Sequence, residues 1–330
     1  MVRVTGLGSL PGTDFPAAAR LVLDALPELV PFPELPARGP HAALVGRSLA
    51  LLDGVDAELG ADGWRLAAAP GPDLRRARAT WRDDLERFEE AAQGYEGRVK
   101  VAVAGPWTLA ASVLLPRGGR VLGDHGARRD VAQSLALGVA RLRADVERRL
   151  GADVVVQVDE PSLPAVLAGG VPTEGGYFRH RRVGRREVGD LLREVTGSAA
   201  RADDVVHCCA PGLPVDMMVG ASGAGFAGVS VDQDTLTPAD WDDLAGAVDA
   251  GATLYLGCVP TASGGPAPPA DALTRRVLRA LEPLEPGPEL AARLVLTPAC
   301  GLAGWTPRDA AAVWPTLTAV ATRIAEQLGR

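Results

Sequence analysis

Four side chains of the kinds that bind soft or borderline metal ions end or follow β-rich segments of the sequence. His207 and Cys209 are two residues apart in one segment, so their side chains leave the same face of a strand, whereas Cys208 points to the other face. Asp232 ends a second segment, and Cys300 follows a third. One imidazole, two thiols and a carboxylate are ligands suited to tetrahedral zinc. The spacing therefore predicts a zinc site.

The ligand types also predict what such a zinc ion would do. With a neutral imidazole, two thiolates and a carboxylate, the ligands carry more negative charge than Zn²⁺ carries positive charge. Such a centre generates hydroxide poorly, but it can hold an incoming thiol as a reactive thiolate. We therefore expect thiol alkylation rather than hydrolysis. Two alternatives stay open: Cys258 could replace one of the predicted ligands, or the cysteines could pack only as small apolar residues.

Other polar residues at the ends of β-rich segments could bind a substrate. Asp159 and Glu160 follow a run of valines, where a carboxylate suits a substrate ammonium group or acid–base work. Their alternative role is to cap the next segment or to pair with an arginine. Ser9 could offer its hydroxyl or backbone N–H to a substrate carboxylate. Trp107 could line a pocket or pack in the core.

The elements that must position these residues alternate along the chain. Continuous apolar runs, typical of strands buried on both faces, occupy residues 2–8, 64–69, 99–105, 153–159, 204–209, 226–232, 253–258 and 294–297. Amphipathic segments that predict helices occupy residues 14–26, 41–60, 73–93, 128–150, 185–196, 238–250, 271–281 and 307–328. This alternation predicts a (β/α)8 TIM barrel of the α/β class, formed by residues 1–330 as a single domain, with a doubly wound sheet as the alternative. All strand ends of such a barrel open onto one face, where active sites lie.

Composition argues against several classes of protein. The 330 residues carry a net charge of −7, with 34 Lys and Arg against 41 Asp and Glu, which argues against a nucleic-acid partner. No uncharged apolar run is as long as a membrane span, and the first residues lack the charged-then-apolar pattern of a secretory signal. We therefore predict a cytoplasmic protein with no membrane partner, whose four cysteines are thiols or ligands rather than disulfides.

Six short motifs near the predicted strand ends carry a family resemblance. They are Gly8-Ser9-Leu10-Pro11, Gly105-Pro106-Trp107-Thr108, Val156-Gln157-Val158-Asp159-Glu160-Pro161, His207-Cys208-Cys209, Val229-Ser230-Val231-Asp232 and Thr297-Pro298-Ala299-Cys300-Gly301-Leu302. Each motif alone is weak, but the ordered set spans nearly the whole chain. Together the motifs resemble the catalytic C-terminal domain of cobalamin-independent methionine synthase, within the uroporphyrinogen decarboxylase-like barrels.

The resemblance implies a reaction and a metal. It implies transfer of a methyl group to the thiol of homocysteine, which gives methionine. The zinc ion would be held by His207, Cys209 and Cys300, with Asp232 as the fourth ligand where the family usually has glutamate. The methyl donor would be a methyl-folate or a methyl-corrinoid protein. This choice stays open because we expect the chain to have no room for the second, N-terminal barrel with which the full-length enzyme holds polyglutamylated methyl-folate.

The resemblance also implies a substrate site. Asp159 would bind the amino group of homocysteine and, together with His207, act in catalysis, and Ser9 would lie against the amino-acid end of the substrate. We add Glu160 and Trp107 as further candidate substrate-binding residues. The acidic segment with which the family makes a second contact to the amine is not recognisable around residues 36–47.

Two other functions remain open at the level of sequence. A related barrel enzyme could alkylate coenzyme M from a methyl-corrinoid, and a metal-free decarboxylase or binding barrel could use its cysteines only for packing. Coenzyme M has no amino group, so dependence on Asp159 separates the first alternative from homocysteine methylation. The zinc content of the purified protein separates the metal-free alternative from homocysteine methylation.

Overall fold

Eight parallel strands form a sheet that curves into a nearly closed barrel. The computed structural model describes residues 1–197, 203–220 and 222–329. The strands of this part of the chain are β1 (Arg3–Val4), β2 (Leu29–Pro31), β3 (Asp56–Gly60), β4 (Gly63–Ala67), β5 (Arg98–Ala104), β6 (Val154–Asp159), β7 (Val205–Cys208), β8 (Gly228–Asp232), β9 (Thr253–Val259) and β10 (Leu294–Pro298). Neighbours in the barrel sheet follow the order β1-β10-β9-β8-β7-β6-β5-β2. Beyond the ends of β1 and β2, a parallel bridge between Ser9 and Glu34 joins the two edges.

Helices follow most of the barrel strands and cover the outside of the sheet. They are α1 (Phe15–Ala25), α2 (Leu44–Leu49), α3 (Pro72–Ala91), α4 (Pro106–Ser112), α5 (His125–Leu150), α6 (Leu163–Ala168), α7 (Arg185–Gly197), α8 (Val215–Met218), α9 (Pro238–Asp249), α10 (Ala270–Ala280), α11 (Pro288–Arg293) and α12 (Pro307–Leu328). Single 3₁₀ turns lie at Pro36–Arg38, Pro40–Ala42, Val121–Gly123, Gln233–Thr235 and Glu282–Leu284. The arrangement confirms the predicted (β/α)8 barrel. That residues 1–330 form one domain stays a prediction.

Helix starts follow local capping chemistry that the sequence already indicates. Thr237 accepts a hydrogen bond from the backbone N–H of Asp240, whose carboxylate in turn accepts one from the N–H of Thr237. Thr306 accepts in the same way from the N–H of Asp309. A proline occupies the first turn of both helices, where its missing N–H costs no hydrogen bond.

The second barrel strand is not where the sequence predicted it. Residues 64–69 were expected to form that strand, but residues 64–67 belong to a strand outside the barrel. Residues 41–60 were expected to form one helix, but only Leu44–Leu49 form an α-helix there, and Asp56–Gly60 form a strand. Instead β4 pairs antiparallel with β3 in a separate two-stranded sheet, and β2 occupies the second place in the barrel. The strand β2 is only three residues long, so it has no periodicity that a sequence pattern could reveal.

Side chains alternate between the inside of the barrel and the helix layer. All six residues of β6 are buried, because the helices cover one face and the barrel interior the other. Inside the barrel, a small apolar cluster is formed by Leu29, Val155, Val205, Tyr255 and Val295. On β6 this alternation also turns Gln157 and Asp159 inward, two and four residues beyond Val155, towards the carboxyl end of the barrel.

Within the described part of the chain, no helix combines the length and the apolar character that crossing a bilayer requires.

Candidate active site

Three of the predicted metal ligands converge at the carboxyl end of the barrel. His207 lies on β7, Cys209 directly follows that strand, and Cys300 follows β10. One donor atom from each of these residues lies within 4.8 Å of the other two. The two sulfur atoms are 3.4 Å apart, and both cysteines are free thiols. The three side chains therefore form a group that could hold a metal ion.

The alternation of β7 and β9 decides which cysteines reach this group. Cys208 faces away from Cys209 and is fully buried in the main hydrophobic core, as is Cys258 on β9. Neither belongs to the three-residue group within the described residues. The sequence alternative in which Cys258 replaces a ligand therefore has no support from the geometry.

A hydroxyl on the neighbouring strand orients the imidazole of His207. Ser230 is the register partner of His207 in the pairing of β7 with β8, and its Oγ lies 3.0 Å from His207 Nδ1. Because Nδ1 is engaged by this hydroxyl, Nε2 is the ring nitrogen left for the thiols. Such a contact from behind is how proteins commonly fix the tautomer and direction of a metal-binding histidine.

The surroundings of Cys209 and Cys300 shift the pKa values of the two thiols in opposite directions. The pKa of Cys300 is lowered, first by its hydrogen bond with Cys209 and then by that with His207. The pKa of Cys209 is raised by the same bond and by burial. Of the two thiols, Cys300 is therefore the more readily ionised. By contrast, burial raises the pKa of Cys208 and of Cys258 to about 12, so both remain neutral thiols.

The thiols and the imidazole form one wall of a cavity of about 320 Å³. The cavity is lined by Leu7, Ser9, Glu34, Pro36, Ala43, Leu44, Asp159, Pro161, His207, Cys209, Cys300 and Gly301. Two carboxylates, Glu34 and Asp159, belong to this lining, and both side chains are almost completely buried. A small cavity with soft metal-binding groups and buried carboxylates suits a small substrate that carries a thiol and a cation.

Burial makes both carboxylates reluctant to ionise. It raises the pKa of Glu34 to about 7, against the opposing effect of Arg47. Burial also raises the pKa of Asp159 to about 6, although His207 and the hydrogen bond from Gln157 both lower it. Glu34 Oε1 accepts no hydrogen bond from the residues that the structure describes, and Arg47 Nε is 3.8 Å away. An unsatisfied carboxylate oxygen in a cavity is a ready acceptor for a cationic ligand.

Glu34 was missed by the sequence analysis, which searched residues 36–47 for the second acidic contact. Glu34 lies just upstream, three residues beyond β2. Because β2 was not predicted, the residues that follow it were not recognised as a strand end. Backbone hydrogen bonds hold it beside Ser9: Glu34 N–H donates to Gly8 O at 3.0 Å, and Leu10 N–H donates to Glu34 O at 2.9 Å. The sequence feature that could have revealed Glu34 is its position as an acidic residue in the otherwise apolar run of residues 29–35, after α1.

Two glycines allow Ser9 to reach the cavity. Gly8 has a φ of +113°, in a region that side chains strongly disfavour. A Cβ atom at Gly301 would lie 1.7 Å from Ser9 Oγ, so only glycine permits this close approach. The backbone N–H of Leu302 also donates to Ser9 O at 2.9 Å. Ser9 thus lies in the lining of the cavity, and its contact with the substrate stays a prediction.

Glu160 and Trp107 do not line the cavity, although the sequence analysis named both as candidate substrate contacts. Glu160 is fully buried and accepts hydrogen bonds from the N–H groups of Trp107 and Thr108 and from the Thr108 hydroxyl, at 2.9, 2.7 and 2.7 Å. It therefore caps the start of α4. Trp107 is fully buried, and its indole N–H donates to Val188 O. Alternation explains the difference, because Glu160 follows the inward-facing Asp159.

Asp232 is not part of the three-residue group. It ends β8 and accepts a hydrogen bond from the backbone N–H of Asp234 at 3.0 Å, which caps the turn Gln233–Thr235. Burial raises the pKa of its carboxyl group, and Cys300 contributes a further upward shift, so the two residues are electrostatically coupled. Its role as a fourth ligand stays a prediction.

Comparison with known proteins agrees with the geometry. A search of curated proteins returned no match. Among solved structures, the chain is similar to a B12-independent methionine synthase from Shewanella sp. W3-18-1 in complex with selenomethionine, with a TM-score of 0.63 and 14% identity over 99% of each chain. At that identity the likeness shows the fold alone. The model of one family, described as "Cobalamin-independent synthase, Catalytic domain", matches residues 89–322. The chain therefore belongs to the family of cobalamin-independent synthase catalytic domains.

Proposed function

We propose that this protein is a zinc-dependent methyltransferase that transfers a methyl group to the thiol of homocysteine and so forms methionine. One observation carries the proposal: a single cavity has the imidazole and two thiols on one wall and two buried carboxylates among its other lining residues. Homocysteine carries the complementary groups, a thiol at one end and an ammonium group at the other. Membership of the synthase family supports the same reaction.

The chemistry of the donor set supports zinc. Two cysteine sulfurs and one histidine nitrogen form a group that zinc favours over harder cations such as magnesium and calcium. The contact of Ser230 Oγ with His207 Nδ1 supports an imidazole whose other nitrogen, Nε2, faces the sulfurs. We assign the ion to His207, Cys209 and Cys300. Three protein ligands would leave a position for the substrate sulfur, as in other catalytic zinc sites.

The carboxylates support an amino-acid thiol as the acceptor. Glu34 and Asp159 would bind the ammonium group from two sides, and Glu34 Oε1 has no competing hydrogen bond. Ser9 would lie against the carboxylate end of the substrate. Coenzyme M carries a sulfonate and no amine, so the same two carboxylates would repel it. The acidic lining therefore favours homocysteine over that alternative.

The residues divide the work of the reaction. Glu34 and Asp159 hold the amine, which directs the thiol end of the substrate towards Cys209 and Cys300. When bound, zinc supplies the positive charge that favours the ionised form of the substrate thiol. Apolar residues of the lining, among them Leu7, Pro36 and Leu44, would limit the access of water to the sulfur. The sulfur then forms a bond to the methyl carbon while the bond from that carbon to the donor breaks, and the donor keeps the electron pair.

The test is methionine formation from homocysteine with a panel of methyl-folates and methylcobalamin. We expect turnover with at least one donor by the zinc-loaded protein and none by Cys209→Ser or Cys300→Ser. Coenzyme M should not be methylated with any donor. Turnover of coenzyme M but not of homocysteine would contradict the proposal, and so would full activity in the cysteine variants.

A further inference from the structure

The chain contains a single lysine, and it lies beneath the cavity. All other residues among the 34 Lys and Arg are arginine. Lys100 belongs to β5 and is 1% exposed. An ammonium group is expensive to bury unless other groups compensate its charge and hydrogen bonds. The partners of Lys100 therefore indicate what the buried charge is for.

The hydrogen bonds of Lys100 lead to the carboxylate of Asp159. Lys100 Nζ donates to Gln157 Oε1. Gln157 Nε2 in turn donates to Asp159 Oδ1 at 2.8 Å and to Leu7 O at 3.1 Å. Because an ammonium group can only donate, it selects the orientation in which the amide oxygen of Gln157 faces Lys100. The amide nitrogen is then turned towards Asp159.

Lys100 also balances the charges around the cavity. Burial lowers the pKa of Lys100 to about 8, and the negative charges of Asp159 and Glu34 partly offset this shift. Lys100 in turn lowers the pKa of both carboxyl groups. Arg47 faces Glu34 at 3.8 Å, and its other carboxylate neighbour, Asp84, is already paired with Arg38 at 2.6 Å. Arg47 is thus the cation that faces Glu34, whereas Lys100 is the cation that hydrogen bonds connect to Asp159.

We propose that Lys100 is a positioning residue for the substrate amine. Through Gln157 it fixes the orientation of the Asp159 carboxylate, which would face the ammonium group of the substrate. The proposal rests on homocysteine being the acceptor. It assigns Lys100 no contact with the substrate and no role at the thiol end.

A substitution series with two acceptors tests this role. Lys100→Met removes the charge at similar volume, and 4-mercaptobutanoate is homocysteine without its amine. We expect the variant to raise KM for homocysteine by about 10- to 100-fold, with kcat changed far less, because the interaction is with the ground-state amine. The KM for 4-mercaptobutanoate and the zinc content should stay unchanged. Equal losses with both acceptors, or an unchanged KM for homocysteine, would overturn the proposal.

The single lysine allows a second test that needs no variant. Zinc-loaded wild-type protein labelled with ¹⁵Nζ,¹³Cε-lysine has one labelled side chain, so its resonance reports on Lys100 alone. Saturation with homocysteine should shift that resonance strongly, whereas 4-mercaptobutanoate should leave it nearly unchanged. Identical shifts with both ligands would refute the role of Lys100. Failure of the wild-type protein to bind homocysteine in calorimetry would instead refute the proposed function, so the two failures are distinguishable.

Discussion

The inner and outer sides of the strand ends carry the same residue types and use them differently. Asp159 and Glu160 are adjacent carboxylates, and Cys208 and Cys209 are adjacent thiols. One member of each pair lines the cavity, whereas the other is fully buried on the helix side. The strand alternation, rather than the residue type, decides which member is available for chemistry.

Hydrogen bonding separates the two sides further. The outer Glu160 receives three hydrogen bonds and ends as a helix cap. Within the described part of the chain, one carboxylate oxygen of the inner Glu34 has no hydrogen-bond partner. Burial alone is therefore a poor guide to function in this barrel. A buried polar group that the protein itself satisfies is structural, whereas one left unsatisfied towards a cavity is the better candidate for binding a ligand.

The largest contrast is expected between the two neighbouring cysteines. Cys209→Ser should reduce zinc from about one ion per chain to a small fraction of that and abolish methyl transfer, because it removes a ligand. The matched control, Cys208→Ser, should keep both its zinc and its activity. Metal analysis of the two purified variants, with circular dichroism to verify folding, measures this directly. Equal zinc loss in both variants would contradict the claim that Cys209 binds zinc and Cys208 does not.

A second contrast concerns the two neighbouring carboxylates. Asp159→Asn should raise KM for homocysteine by about 100-fold, because it removes a buried charge opposite the substrate ammonium. The fold should be retained, since the new side-chain amide would keep an oxygen for Gln157 and the charge of Glu34 would still compensate that of Lys100. Steady-state kinetics and thermal unfolding of this variant test both expectations.

The outer carboxylate should show the reverse behaviour. Glu160→Gln should lower the free energy of unfolding by about 1–3 kcal/mol, because an amide group cannot accept all three hydrogen bonds at the start of α4. The KM for homocysteine should stay close to that of the wild type. A raised KM without lost stability would show that Glu160, rather than Asp159, reaches the substrate.

A smaller effect is expected from the residue that orients His207. Ser230→Ala should weaken zinc binding by about 10- to 100-fold, as is usual when a contact behind a metal-binding histidine is lost. Thr297→Val is a suitable control, since the buried Thr297 hydroxyl has no hydrogen-bond partner in the described part of the chain. Competition with a chelator gives both affinities. A larger loss in the threonine variant would mean that general packing, rather than the imidazole contact, controls the affinity.

The smallest effect concerns pH and Glu34. Because the pKa of Glu34 is raised to about 7, it takes up a proton in the free protein as the pH falls below neutrality. The preference for homocysteine over 4-mercaptobutanoate, expressed as a ratio of kcat/KM, should fall by up to about tenfold per pH unit there. Glu34→Gln should remove most of this dependence. A ratio that is constant across neutrality would contradict the role of Glu34.

The raised pKa of Glu34 also makes the stability of the fold depend on pH, and in the opposite direction from amine binding. A carboxyl group whose pKa is higher in the folded than in the unfolded chain binds protons more tightly when folded. Glu34 therefore contributes stability below its unfolded value of 4.5, and that contribution is lost as the pH rises through about 7. The pH range that favours amine binding is thus the one in which this residue weakens the fold.

Sequence patterns were sufficient for most of the barrel and failed at one strand. Long apolar runs such as those of β6 and β9 predict buried parallel strands because they are continuous over six or seven residues. The three residues of β2 are too few to show any pattern. The hairpin of β3 and β4 is mostly half-buried, with Ala57 and Trp64 buried, so its apolar residues resembled those of a barrel strand and of part of a helix.

The site was predictable where residue type and strand alternation sufficed. His207 and Cys209 are fixed by their spacing, and Cys300 by its place after the last strand. Glu34 depended on the missed strand, and the role of Glu160 depended on the start of α4, which only the three-dimensional structure brings to it. Lys100 was visible as the only lysine, but its connection to Asp159 runs through Gln157, which no local pattern reveals.

The central claim is that His207, Cys209 and Cys300 hold one zinc ion with room for the sulfur of the substrate. X-ray absorption spectroscopy at the zinc edge of the purified protein tests it most directly. We expect two sulfur neighbours at about 2.3 Å and at least one nitrogen or oxygen neighbour at about 2.0–2.2 Å, with a third sulfur on addition of homocysteine. A folded protein without zinc, or a sulfur count that homocysteine leaves unchanged, would contradict it.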